Sequence, residues 1–548
     1  MKTIKLSLLA LLVLMANNLE AKIKSVDHSS RTLKVEKYEI IDITFDTRSK
    51  VEAPFELQFD ATFTSPDGKT QLIPAFFNGN GEWVVRFSAS DAGLWEYTTS
   101  SALRAFNKKK GKVEVANVAH NARHGEIEVC KENPQHFIWE DGKPHFLMGF
   151  ECDFLFALDY GQAEQPRLGS FLDGVAKNGF NHIVMNVYAN DVQWKKDKKI
   201  ETDKKYEFGS RNDIFPFLGN NDKPDYSALN TDFFKSLDRT MEALNDRNLI
   251  SHLMIYVWNK KVNWPKMGSK EDIRYFEYVV KRYQAFTNVV WDISKEALYY
   301  GHCDDSDILD RIERVRKLDS YERLVTVHDF GFCKRNHDSV DFLSQQDWKL
   351  SAYETMLRNT KTIKDKPTYN VEHGGYEESD YVVFTGNYVN AEICLRRCWE
   401  SAFAGAYSTH YWQGCSWNVL VYDWEKQDPK QHYRPKFEYY KHLTDFFTQY
   451  PFHEFKPTPQ HNNSGYCMYN EKDTYLFYLP KESYKCAANG IMKNAAQISY
   501  RWFNIETGEY TQPQTISQMD LFAMPVAKWH MKNDAVLILK VDKFKETK

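Results

Sequence analysis

Two glutamates carry the first chemistry that this sequence suggests. Glu296 closes the apolar run NVVWDISKE, and Glu372 stands near the end of PTYNVEHG, so each falls where a buried strand would emerge into a cleft. Carboxyl groups on opposite sides of a bond can split it: one gives a proton to the departing oxygen, the other attacks carbon or activates water. Either residue alone reads equally well as a solvated loop acid or as half of an ion pair. At the ends of two separate apolar runs, the pair points to cleavage of a glycosidic bond. Other polar and aromatic side chains occupy the same kind of position. Asp153, Asn186 and Trp258 follow earlier runs, Lys295 precedes Glu296, and His328, Asp329, Trp348, His373 and Trp412 follow later ones.

These positions require a scaffold that gathers strand ends. Strand-like runs at 145–151, 181–189, 250–258, 288–296, 323–330, 341–348, 367–374 and 406–413 alternate with amphipathic stretches such as DFFKSLDRTMEALNDR and EDIRYFEYVVKRYQAF. Eight such alternations predict an α/β fold, a (β/α)₈ TIM barrel over 121–450, with the site at the C-terminal ends of its strands. Before it, FELQFDATFTSP and EWVVRFSASDAGLWEYTTS alternate with a period of two. With turns at Asp67-Gly68 and Asn78-Gly79-Asn80-Gly81, they predict an Ig-like β-sandwich over 22–120. After it, YCMYNEKDTYLFYLP, ISYRWFNIETGEY and AVLILKV predict a second β-sandwich over 451–548. The polar stretch 192–227 reads as a long loop after strand two, closing one end of the cleft in favour of exo action.

Composition narrows the function. A net charge of −4 lacks the basic footprint of a nucleic-acid binder. Residues 1–21, MKTIKLSLLALLVLMANNLEA, have the positive start, short apolar run and small-residue end of a signal peptide. The mature chain is therefore expected to be secreted or periplasmic, with no membrane span. The nine cysteines are scattered, and their pairing is not legible. Cys394 and Cys398, four apart on a predicted helix, read as buried small apolar side chains more readily than as metal ligands. Aromatic residues make up 15% of the chain, enough for large cores and also for rings that stack on sugars. Trp258, Trp348, Trp412 and Trp417 are the candidates for stacking, each with a core role as its alternative.

The motifs resemble a known group. NVVWDISKEA and KPTYNVEHGGYE resemble the strand-four and strand-seven motifs of the large clan of retaining barrel glycosidases. HFIWEDGKPHFLMGFECDFLF resembles the barrel opening of the apiosidase-like proteins of Bacteroidota, the group with DUF4038 and DUF5060 domains. The tail, with YRWFNIETGEY, is similar to a sandwich once labelled collagen-binding, a label that carries no function here. The resemblance implies Glu296 as acid/base and Glu372 as nucleophile, with neighbours such as His328 and His373 splitting their pKa values. It implies a carbohydrate substrate and calls for no metal and no cofactor; oligomeric state stays open.

Many clan members carry Asn just before the acid/base, where this chain has Lys295. That lysine either contacts an anionic sugar, a uronate or sulfate ester, or pairs with Asp329 or Asp153. Asp153 either bonds a sugar hydroxyl in the innermost subsite or is structural. A non-catalytic carbohydrate-binding or adhesion protein on the same barrel is the rival reading. A metal-dependent hydrolase using His328, Asp329 and His373 is a weaker one.

Overall fold

The computed structural model describes residues 23–545 except 31, 191–210, 259–260, 348–350, 374–390, 412–435, 463, 482–485, 487–490, 492–494 and 517–532. The signal-peptide expectation therefore lies outside the described residues. So do Trp348, Trp412, Trp417 and Cys415.

Eight parallel strands form the centre: Met148–Glu151, His182–Asn186, Ile250–Val257, Val289–Lys295, Val325–His328, Leu343–Gln346, Thr368–Glu372 and Tyr407–His410. They are hydrogen-bonded in the order five, four, three, two, one, eight, seven, six. Between strands five and six the Asp341 N–H donates to the Val325 carbonyl at 2.8 Å, and Thr326 Oγ1 to the Phe342 carbonyl at 2.9 Å, which brings the barrel near closure. Strands three and four are buried at every residue. Helices cover their outer face and side chains fill the interior, so they read as largely apolar runs without a solvent-facing alternation.

Three successive barrel helices start where their sequences supply caps. Asn230 caps Thr231–Asp246, Ser269 caps Lys270–Tyr283, and Asp304 forms a reciprocal capping box with Asp307 at the start of Asp305–Leu318. Cys394 and Cys398 lie on the helix Ala391–Phe403, both fully buried, and burial pushes the Cys394 thiol up to about 12. All eight described cysteines are free.

One expectation is corrected. Within the stretch read as loop, Phe217–Asn220 pairs antiparallel with Lys223–Leu229. Gly219 takes φ +75°, and the Asn220 side chain accepts from the Asp222 and Lys223 N–H groups, which closes the turn. Outward polar residues hid the alternation, because the hairpin buries only its two ends.

N-terminal to the barrel, a four-stranded and a five-stranded sheet enclose their own apolar cluster, including Phe45, Phe63, Trp83 and Phe87. At the predicted tight turn Gly79, Asn80 and Gly81 all have positive φ. A Cβ on Gly81 would stand 2.6 Å from the Thr47 carbonyl oxygen. A buried ion cluster joins this sandwich to the barrel. Arg86 Nε lies 2.7 Å from Asp42 Oδ1, Arg86 Nη2 3.0 Å from Asp238 Oδ2, and Arg282 Nη2 2.6 Å from the same Asp238 oxygen. The C-terminal segment is β-rich, and its described strands form one six-stranded sheet. One face of that sheet, with Met468, Leu476 and Tyr478, joins the barrel core, where Tyr478 stacks on Trp399 with centroids 5.8 Å apart. The other face, with Phe477, Leu537 and Leu539, belongs to a separate cluster. Among the described residues no helix is long and apolar enough to cross a membrane.

The buried titratable groups set a pH window for stability. Burial lowers His136, His145, His182 and His410, and the first, second and last fall to about 3. The unfolded chain takes up protons near pH 6.5 that these folded imidazoles refuse, so stability is lost as pH falls below that value. Glu242 and Glu400 act in the opposite sense. Burial raises both to about 8, so stability is lost as pH rises from about 4.5 to 8. Above pH 6.5 these imidazoles no longer add to the pH dependence while Glu242 and Glu400 still do, so the melting temperature should fall from pH 6.5 to 8. A melting temperature that climbs steadily from pH 6.5 to 8 would contradict this.

Candidate active site

The strand ends bring Glu151, Asp153, Lys295, His328 and Glu372 together. Lys295 is the hub. Its Nζ lies 2.6 Å from Glu151 Oε1, 2.6 Å from Glu372 Oε2 and 3.9 Å from Asp153 Oδ1. All four side chains are buried, none more than 3% exposed. Glu372 also accepts from Gln346 Nε2 at 2.8 Å and has His328 Nε2 at 3.5 Å. Asn186 donates to Asp153 Oδ1 at 3.2 Å, tying strand two to the chain just past strand one.

Burial pushes the Glu151 carboxyl well above the usual range, against the pull of Lys295, and the nearby charges of Glu372 and Asp153 push it further. Burial alone would discharge Lys295, but Asp153, Glu151, Glu372 and Glu296 outweigh it and hold the ammonium well above its ordinary value. The field of Glu296 therefore reaches the lysine that grips Glu372. The phenol of Tyr300 senses both glutamates: partial burial raises it first, then Glu296, Tyr299 and Glu372.

Glu296 follows strand four with φ +62°, a left-handed conformation that few side-chain-bearing residues adopt. In a continuing strand, consecutive side chains point to opposite faces. Lys295 fills the barrel interior, so an extended Glu296 would turn toward the helices. The left-handed step ends the alternation there and starts a turn in which the Tyr300 N–H donates to the Glu296 carbonyl at 3.1 Å.

Several expectations are corrected by these positions. Lys295 pairs with Asp153, as one of its two expected partners, and more closely with Glu151 and Glu372, but not with Asp329, so it does not present a free cation to an anionic sugar. Asp329 is the N-cap of the helix Phe330–Arg335, where its Oδ1 accepts from the Phe332 N–H at 2.8 Å. His373, adjacent to inward-facing Glu372, is fully buried with Nε2 3.4 Å from Cys398 Sγ on the helix Ala391–Phe403. It faces the helical layer, as strand alternation requires, and does not stand beside Glu372 in the cleft. Trp258 is at the mouth, its ring 4.7 Å from that of His302 at an interplanar angle of 20°. Glu151 and Gln346, which hold Lys295 and Glu372, are legible as the polar ends of strands one and six but were not carried into the candidate site. Glu151 ends its run as Glu296 does, and that parallel was the available signal.

Residues 34–102 match the domain of unknown function DUF5060, and residues 131–454 match the apiosidase-like catalytic domain, which spans more than half the chain. Among solved structures, the fold is similar to that of a candidate glycoside hydrolase from Bacteroides vulgatus ATCC 8482. The identity is 19% and the TM-score 0.71, over 93% of this chain and 99% of that one. A glycoside hydrolase family 5 protein from the same organism is similar over 76% of this chain and 94% of its own, at 17% identity and a TM-score of 0.55. At these identities the likeness concerns the fold. No curated protein matches the chain.

Proposed function

The chain belongs to the apiosidase-like catalytic domain family, and on that premise we propose that it is an exported, retaining glycoside hydrolase acting on plant or algal oligo- or polysaccharides. The observation that carries this reading is the grip on Glu372: Lys295 at 2.6 Å and Gln346 at 2.8 Å fix a buried carboxylate at the barrel mouth, within the same electrostatic field as Glu296. In the first step Glu372 attacks the anomeric carbon while Glu296 gives its proton to the leaving oxygen. In the second, Glu296 takes a proton from water, which cleaves the glycosyl ester and restores Glu372.

Lys295 and Gln346 hold the Glu372 carboxyl in place and aimed. When Glu372 becomes a neutral ester, Lys295 keeps its bond to Glu151 at 2.6 Å and its pairing with Asp153 at 3.9 Å, so the ammonium need not move while the intermediate waits for water. Four carboxyls around one ammonium favour a neutral sugar in the innermost subsite over a uronate or sulfate ester.

The test is a panel of neutral, uronate-bearing and sulfated plant and algal oligosaccharides. Products are identified by mass, and the first-formed anomer by proton NMR before mutarotation. Cleavage of a neutral substrate with the configuration kept is expected. An inverted first product would sink the double displacement, and a preference for anionic substrates would sink the account of the innermost subsite.

A further inference from the structure

The turn that follows Glu296 carries a row of rings which neither family membership nor the two carboxyls explain. Tyr299 and Tyr300 are 80% and 48% exposed, the only consecutive large hydrophobic residues so exposed among the described ones. Two adjacent solvent-exposed rings can serve as a contact surface when they continue into a larger aromatic patch. Here they continue a row into the barrel. The Tyr300 and His302 centroids are 6.4 Å apart at an interplanar angle of 39°, those of His302 and Trp258 4.7 Å at 20°, while Tyr299 meets Tyr300 edge-on, 5.2 Å away at 88°.

The row is tied to Glu296 from both sides. Within the turn, Tyr300 N–H donates to the Glu296 carbonyl at 3.1 Å and His302 N–H to the Ala297 carbonyl at 3.0 Å. Gly301 between them takes φ +67°. From strand three, the Trp258 N–H donates to the Lys295 carbonyl at 3.3 Å. The backbone that carries the rings is thus bonded to that of the proposed acid/base and its neighbours.

We propose that Tyr300 and His302, backed by Trp258, form the platform on which the leaving-group sugar lies, with Tyr299 standing edge-on at its rim. This rests on the reading of Glu296 as acid/base. A proton donor must stand within hydrogen-bond reach of the oxygen being expelled, and that oxygen belongs to the leaving group. Rings fixed in the donor's own turn therefore lie on the leaving-group side, whereas Glu372 and the Lys295 cluster address the sugar that is retained. Flat rings with few rotatable bonds suit the C–H face of a neutral sugar, and the Tyr300 hydroxyl and His302 ring nitrogens supply polar contacts at the edge.

The test uses the full-length chain with Glu372→Gln, which holds substrate without turning it over. Calorimetry is run against tetrasaccharides of glucose, mannose, xylose, galactose and arabinose and against the matching monosaccharides. Adding Tyr300→Ala together with Tyr299→Ala should weaken tetrasaccharide binding about tenfold or more and leave the monosaccharide unchanged, while Tyr300→Phe keeps most of the affinity. Melting curves of these variants should match the parent, because both rings are solvated. Equal weakening for both ligands, or none for either, overturns the platform alone. If no saccharide binds the Glu372→Gln parent, the platform and the hydrolase reading fall together.

Discussion

Glu372→Gln lowers turnover by at least about 10³-fold, the scale on which a single acid–base or nucleophilic group contributes, while saccharide binding persists. The amide keeps the size of the carboxyl and can still accept from Gln346, now 2.8 Å from Glu372 Oε1. Its NH₂ then faces Lys295, an unfavourable pairing of donors costing about 1–3 kcal/mol. The fold survives this because Glu151 still holds the lysine at 2.6 Å. Truncation separates the two proposed roles. With an activated aryl glycoside and added azide, Glu372→Ala should recover turnover and give the glycosyl azide of opposite configuration. Glu296→Ala should give the azide of unchanged configuration. A folded Glu372→Gln within tenfold of the parent would remove Glu372 from the mechanism.

Asp238→Ala is the substitution expected to cost most stability. Burial alone would raise the Asp238 carboxyl, but Arg282 and Arg86 pull it well below the usual range. Both guanidiniums are about 2% exposed or less. Removing Asp238 leaves Arg282 without its carboxylate partner and Arg86 with Asp42 alone. Breaking one side of a buried ion cluster costs about 3–5 kcal/mol. Because Arg86 belongs to the N-terminal sandwich and Asp238 and Arg282 to barrel helices, the loss should fall on the junction between them. Urea unfolding should shift to lower concentration, and limited proteolysis should release the sandwich early. Adding Arg282→Met should recover part of the loss, since a missing charge is better tolerated than an unpaired one. A loss below about 1 kcal/mol would mean that water reaches the cluster and screens it.

The barrel was legible because its strands are buried on both faces. Ile250–Val257 has no exposed position, and such runs stand out against helical periodicity. The sandwich was legible through alternation, as in Phe59, Ala61 and Phe63, each buried between more exposed neighbours. The site was legible only one strand at a time. Which residues end a run is a local property, but the pairing of Lys295 with Glu151, 144 residues away, depends on how the sheet closes. The same limit misplaced Asp329, whose capping bond is a matter of the next helix. His373 was misread for a simpler reason. Period-two alternation, applied from Glu372, turns it outward, and proximity in sequence to an inward acid was weighted above that rule. The hairpin at Phe217–Leu229 escaped because a solvated ribbon has no apolar face to announce it.

The left-handed backbone at Glu296 has a consequence for descent. Glycine or asparagine would sit there at less conformational expense, so the glutamate is held against the preference of its own peptide unit. A lineage relieved of the need to break sugars would gain robustness by drifting to Gly or Asn at this one position. Relatives that have become pure sugar receptors should therefore be found with that replacement first, and with Lys295 and Glu151 still in place.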